Sequence, residues 1–82
     1  MYAVVIEFDP ETGSYGATSP DVDDERNMVV GIGKSADEAI ARFRNALEGH
    51  FAFLRERGEP IPQPRHSVAM VPAPILSSSK AG

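Results

Sequence analysis

The sequence predicts an α+β domain with the element order β-β-β-α-β: an antiparallel meander of three strands, one long helix packed on one face of the sheet, and one further parallel strand. Three observations lead to this prediction. The stretch between Ser35 and Gly58 carries apolar residues at helical spacing and has capping residues at both ends. The residues before it contain three short stretches of strand-like composition, and one such stretch follows it.

The first third of the chain predicts a meander. Residues 2–8, YAVVIEF, alternate along the chain and are mainly apolar on both faces, which is typical of a central strand. DPETGS, residues 9–14, has the proline and glycine of a turn. Residues 15–18 then form the second strand of a hairpin, and residues 28–32 form the third strand.

The helix is predicted from its ends and from its apolar stripe. Ser35 is a suitable N-cap, and Glu38 three residues later completes a capping box. Gly58 can end the helix in a left-handed conformation, and Pro60 and Pro62 prevent its continuation. The stripe consists of Ala36, Ala39, Ile40, Phe43, Ala46, Leu47, His50, Phe51 and Leu54.

The proportions of these elements predict self-association. A helix of about 22 residues is roughly 33 Å long, whereas a five-residue strand covers about 17 Å. The last helical turns therefore need another surface. The helix returns the chain, so residues 66–71, HSVAMV, are expected as a fourth strand that runs parallel to the first and lies beside it. The sheet face away from the helix stays uncovered. The residues expected at contacts between copies are Ala3, Val5, Phe53 and Leu54.

Size and charge limit the classes of function. The chain has 82 residues, no cysteine and a net charge of −4. We expect one domain at residues 1–71 and a Pro- and Ser-rich tail at residues 72–82. The negative charge argues against nonspecific nucleic-acid binding and suits a basic protein partner. The N-terminus does not resemble a signal peptide, and no apolar run approaches the ~20 residues of a membrane span, so we expect a cytoplasmic protein.

GIGKS, at Gly31–Ser35, follows a strand and opens a helix, which is where a phosphate-binding loop would lie. The full motif requires a glycine five residues before Gly33, and Met28 occupies that position. A tight turn followed by a helix cap explains the same residues. We therefore expect no cofactor.

An acidic run follows Pro20: Asp21, Asp23, Asp24 and Glu25. These residues could bind a cation, form a solvated loop, or form an acidic lip that contacts a basic partner. Their spacing does not match a calcium loop, which has a central glycine and a distal glutamate. We therefore expect no metal site, and the acidic lip is our partner-binding hypothesis.

A metal-dependent nuclease would need several converging carboxylates. Glu7, Glu38 and Glu48 are the candidates along the chain. Glu38 already serves as a capping residue, and Glu48 lies outside the buried stripe of the helix. No nucleophile with a neighbouring base can be assigned, so we expect the chain not to be an enzyme and name no catalytic residue.

Five motifs in order resemble the N-terminal domain of HicB-like antitoxins. They are the strand Tyr2–Glu7, the pair Ser14–Tyr15, the pair Pro20–Asp21, the glycine and capped helix start at Gly33–Ala39, and the exit Gly58–Pro64. Together these motifs span most of the chain, and their order is more specific than any one of them. The chain departs from the family at Val22–Asn27, which replaces a short turn with a longer acidic one.

The resemblance implies a partial ribonuclease-H-like fold without the catalytic set of that nuclease. It also implies a bacterial toxin–antitoxin function, in which the domain neutralises a small basic HicA-type ribonuclease by masking it. The alternative is a stand-alone, oligomeric HicB-like domain with a structural or ligand-binding role and no toxin. Many members continue into a DNA-binding domain, and no such pattern follows residue 71 here, so direct nucleic-acid binding is not expected.

Overall fold

The computed structural model describes residues 1–22 and 28–73. Within them, a three-stranded antiparallel sheet of order β1-β2-β3 packs against one helix. The elements are β1 at Val5–Asp9, β2 at Ser14–Thr18, β3 at Gly31–Gly33 and α1 at Ala36–Glu56. The α+β class and the antiparallel meander predicted from the sequence are confirmed.

The β1–β2 hairpin has the predicted turn. Its register runs from Val5 opposite Thr18 to Asp9 opposite Ser14. Gly13 has φ +70°, and its N–H donates to the Asp9 carbonyl at 2.8 Å. A glycine adopts this left-handed conformation without the steric penalty of a Cβ atom, which is why the turn closes here.

Helix α1 begins with the predicted cap, in a slightly shifted form. The Ser35 hydroxyl accepts a hydrogen bond from the Glu38 N–H at 3.1 Å. The Glu38 carboxylate reaches back to the Lys34 N–H at 2.6 Å, one residue before the position that a standard capping box uses. The same carboxylate lies 3.6 Å from Arg42 in an exposed ion pair, which contributes at most a few tenths of a kcal/mol (about 0.3–0.5).

The C-terminal end of α1 is a Schellman motif. Gly58 has φ +71°, and its N–H donates to the Arg55 carbonyl at 3.1 Å. The Glu59 N–H donates to the Leu54 carbonyl at 2.9 Å. These two bonds satisfy carbonyls that the end of a helix otherwise leaves unpaired, and they turn the chain back before Pro60.

The core lies where α1 crosses β2 and β3. A Cβ atom on Gly31 would lie 2.2 Å from the Phe43 nitrogen and 2.3 Å from the Ala39 oxygen, so only glycine permits this approach of strand and helix. Gly33 meets the Glu38 side chain in the same way. The buried cluster around this contact consists of Ala17, Val22, Val29, Ala39 and Phe43.

Strand β1 is an edge strand, which differs from the central position predicted for it. Ile6 alone among its five residues is half-buried, and the other four are exposed. The helix packs mainly on β2 and β3 and leaves β1 at the margin. Apolar side chains on both faces of β1 therefore stay largely uncovered by the described part of the chain.

Residues 66–71 form no strand in this structure, although their alternation predicts one. The N–H groups of Arg65 and His66 both donate to the Asp21 carboxylate, which leaves them unavailable to a neighbouring strand. Residues 66–68 nevertheless lie beside residues 1–4, across a groove of about 330 Å³. The structure therefore has no fourth strand among the described residues, and the parallel strand predicted from the alternation is not confirmed.

Candidate functional site

The sheet face away from α1 is uncovered by the described residues. Because Ile6 and Ala17 face the helix, Val5 and Ile32 point to the opposite side. Both are exposed, as is Val30 just before β3. Gly16 lies between them on β2, and a Cβ placed there would meet nothing within 4 Å. We call Val5, Gly16, Val30 and Ile32 the open face.

A groove of about 560 Å³ adjoins the open face at the hairpin end of the sheet. Gly16 forms part of its lining, because it lacks a side chain between its partners Glu7 and Ile32. Glu7, Asp9 and Tyr15 also line it. Apolar walls with carboxylates suit the long side chains of basic residues, which bury their stems and keep their charges paired.

Asp21 forms a buried hydrogen-bonded cluster, which we call the Asp21 clasp. Its side chain is fully enclosed. One carboxylate oxygen, Oδ2, accepts the Ala3 N–H at 3.1 Å. The other, Oδ1, accepts the N–H groups of Arg65 at 2.8 Å and His66 at 3.0 Å, and lies 2.6 Å from His66 Nδ1. The Asp21 N–H in turn donates to the buried Ser19 hydroxyl at 3.2 Å. One side chain thereby joins both ends of the domain to the turn after β2.

The clasp favours the charged form of the carboxyl group. The hydrogen bond from the His66 ring holds the pKa of Asp21 well below its usual range. Burial raises this pKa, because a charge is poorly solvated in the interior, but the backbone N–H groups of Arg65 and Ala3 lower it further. The net shift is downward, so the ionised clasp stabilises the folded state.

The structure describes only one of the four acidic residues predicted to contact a partner. Asp21 is 6% exposed and binds the chain's own backbone, so its assignment to a partner surface is wrong. Asp23, Asp24 and Glu25 lie outside the described residues. The sequence missed the roles of Arg65 and His66. The available signal was a carboxyl group placed between Pro20 and the buried Val22, where a solvated acid is unexpected.

Two of the four residues predicted for self-association are available. Val5 and Phe53 are exposed, as expected of the uncovered sheet and the overhanging helix. Ala3 is 9% exposed and Leu54 5%, so their assignment is wrong. Ala3 is held by the clasp. Leu54 lies where the chain turns back after α1, a return that the Tyr2 hydroxyl secures by donating to the Pro62 carbonyl.

The glycines of GIGKS have a structural explanation. Gly31 and Gly33 allow the close approach of α1, and the Lys34 N–H is bound by the Glu38 carboxylate. Within residues 1–22 and 28–73, no group of three or more His, Asp or Glu side chains is placed to hold a metal ion. The pattern of backbone and side chains here thus favours the turn-and-cap interpretation over a phosphate-binding loop.

Comparison with protein-family models, with curated proteins and with solved structures found no match to this chain. In the part of the chain that the structure describes, no helix has the length and apolar content to cross a membrane.

Proposed function

We propose that the chain is a noncatalytic, HicB-like binding module of the bacterial cytoplasm, which neutralises a small basic HicA-type ribonuclease by masking it. The proposal joins the motif order of the sequence to an exposed acidic and apolar surface. The resemblance also implies a partial ribonuclease-H-like order with a fourth strand beside β1. The position of residues 66–68 next to residues 1–4 supports that place for the strand.

The observation that carries the proposal is the free side of β1. Four of its five residues are exposed, and two of them, Val5 and Phe8, are large and apolar. An unpaired strand edge with apolar side chains is a template for a strand or helix from another protein. Protein domains normally protect such an edge, so its exposure favours a binding role.

Charge supports a basic partner. The chain carries −4 overall, and Glu7 and Asp9 line the groove beside the open face. Such complementarity mainly accelerates association and selects partners, because opposite charges steer the encounter. A ribonuclease that binds RNA is positively charged on its active face, and that face is what masking must cover.

The second candidate is a stand-alone oligomeric domain without a toxin. The exposed apolar residues of segment 66–71 favour it. Both this strand-like segment and the outer edge of β1 lack a partner strand among the described residues, so two copies can pair them. The antitoxin-like module and the stand-alone domain can be distinguished by whether a reading frame for a basic protein lies beside the gene of this chain. Its presence supports the antitoxin-like function.

Replacing Asp23, Asp24 and Glu25 with Ser should slow association with that basic protein by about 10-fold at low salt and flatten the salt dependence of the rate. The three acids are expected to steer the encounter. Stopped-flow measurements over a range of ionic strength give both quantities. The free energy of unfolding is measured on the same variant, so that slower association is distinguished from loss of the folded state.

The matched control changes the same amount of charge elsewhere. Glu11, Glu48 and Glu56 are exposed, and their replacement with Gln also removes three negative charges. Equal slowing in both variants would assign steering to net charge and contradict a specific acidic lip. Unaltered rates in the first variant would show that the acidic run is solvated surface.

A further inference from the structure

One edge of strand β1 is paired with another strand, whereas its other edge has no partner strand among the described residues. It pairs with β2 over its whole length, from Val5 opposite Thr18 to Asp9 opposite Ser14. No strand lies on its other side among residues 1–22 and 28–73. Its outer backbone groups therefore face a position where a further strand fits, about 4.8 Å away.

Residues 65–71 have the properties of the missing strand. Val68, Met70 and Val71 are exposed, Met70 to 92%, and no regular structure is assigned to the segment. Pro64 and Pro72 bracket it, and proline ends a ladder because it has no N–H to donate. Seven residues lie between the prolines, and the last five of them, residues 67–71, equal β1 in length.

Within one chain, the Asp21 clasp keeps the basic residues Arg65 and His66 away from the acidic end of β1. Asp21 binds the Ala3 N–H through one oxygen and the His66 N–H through the other, so His66 is fixed beside Ala3. A fourth strand that continues from that point in the direction predicted from the sequence would run parallel to β1. Arg65 and His66 then stay about 13 Å from Glu7, the length of four strand residues.

An antiparallel pairing with another copy brings these basic and acidic residues together. The segment 65–71 begins with the basic residues Arg65 and His66 and contains no acid, whereas β1 ends with the acids Glu7 and Asp9. Reversing the direction brings the basic start of one copy to the acidic end of β1 in the other. Antiparallel ladders are also slightly more stable per residue than parallel ones.

We propose that residues 67–71 of one copy add as an antiparallel strand to the outer edge of β1 in a second copy, while the N–H groups of Arg65 and His66 stay bound to Asp21 of their own chain. Each chain offers one donor segment and one acceptor edge, so two copies satisfy each other reciprocally in a closed dimer. The proposal does not depend on a toxin, because both surfaces belong to this chain. The exposed apolar side chains of the segment are covered in the same step.

Disulfide trapping tests the pairing and its direction. The chain has no cysteine, so each engineered thiol is unique. Glu7→Cys chains, carrying a mass tag, are mixed with untagged Ser67→Cys chains under mild oxidation. We expect a disulfide-linked heterodimer about 10-fold above the control mixture of Glu7→Cys with Ala52→Cys, because pairing raises the effective concentration of the two thiols. Ala52 lies on the exposed surface of α1.

Three other results would contradict the proposed pairing or its direction. A single chain carrying both Glu7→Cys and Met70→Cys that forms its disulfide internally, as a monomer, would place a parallel strand within one chain and overturn the proposal. A heterodimer that forms with Met70→Cys but not with Ser67→Cys would overturn the antiparallel direction. Heterodimer yields no higher than the control would show that the segment does not pair with β1 of a second copy.

Discussion

Gly31→Ala is expected to unfold the domain or to lower its free energy of unfolding by about 3 kcal/mol or more. Overpacked cores usually lose about 1–3 kcal/mol, and the larger values arise when neighbours cannot move. Here the new Cβ would lie 2.2 Å from the Phe43 nitrogen and 2.3 Å from the Ala39 oxygen, which are backbone atoms of α1. The helix would have to leave the sheet to make room. Urea unfolding followed by circular dichroism measures the loss.

Gly16→Ala is the matched control for this substitution. Gly16 pairs with Glu7 in the same sheet, but its added Cβ would meet nothing within 4 Å. Its stability should stay within about 0.5 kcal/mol of the wild type or rise slightly, since alanine restricts the unfolded chain more than glycine does. Equal stability of the two variants would contradict the close contact of β3 with α1.

Asp21→Asn is expected to lower the melting temperature at neutral pH by at least about 5 °C, because a buried set of charge-assisted hydrogen bonds is lost. Asparagine can keep one acceptor oxygen, but its NH₂ group would oppose a backbone N–H that now donates to Asp21. The amides of Arg65 and His66 should then exchange with solvent at least about 10-fold faster, which hydrogen exchange measures.

The same substitution should remove an acid dependence of stability. The pKa of Asp21 is lower in the folded chain than its ordinary value of 3.8, so its contribution is present above about pH 4 and is lost as the pH falls. The wild type should therefore approach the variant in stability below about pH 3. Glu48→Gln, at an exposed position, is the control and should follow the wild type. A constant difference between wild type and Asp21→Asn at all pH values would contradict an ionised clasp.

The sequence predicted the elements whose signals are local. Ser35, Glu38 and Gly58 define α1 through side-chain and backbone bonds to residues within five positions. The structure has them as predicted, except that Glu38 binds the Lys34 N–H in place of the Ser35 N–H. Gly13 in the hairpin turn is likewise confirmed. Such bonds depend on residues that are neighbours in the chain, so their chemistry is visible in the printed order.

The sequence did not predict the contacts that join distant segments. Asp21 binds Arg65 and His66, which are 44 and 45 residues away, and an acid in an acidic run has the composition of a solvated loop. The same contact holds the start of residues 66–71, where the structure has no strand although the alternation predicts one. Leu54 is buried because the chain returns over the end of α1, which helical periodicity does not indicate.

Sedimentation velocity at micromolar concentration shows whether the free edge of β1 binds another chain. We expect the wild type to sediment at twice the 8.8 kDa chain mass. The double variant Val68→Lys, Met70→Lys should sediment as a single chain, because its added charges oppose the burial of a strand. If the wild type sediments only as the 8.8 kDa chain, both alone and with the basic protein encoded by the adjacent gene, the edge of β1 is not a binding surface.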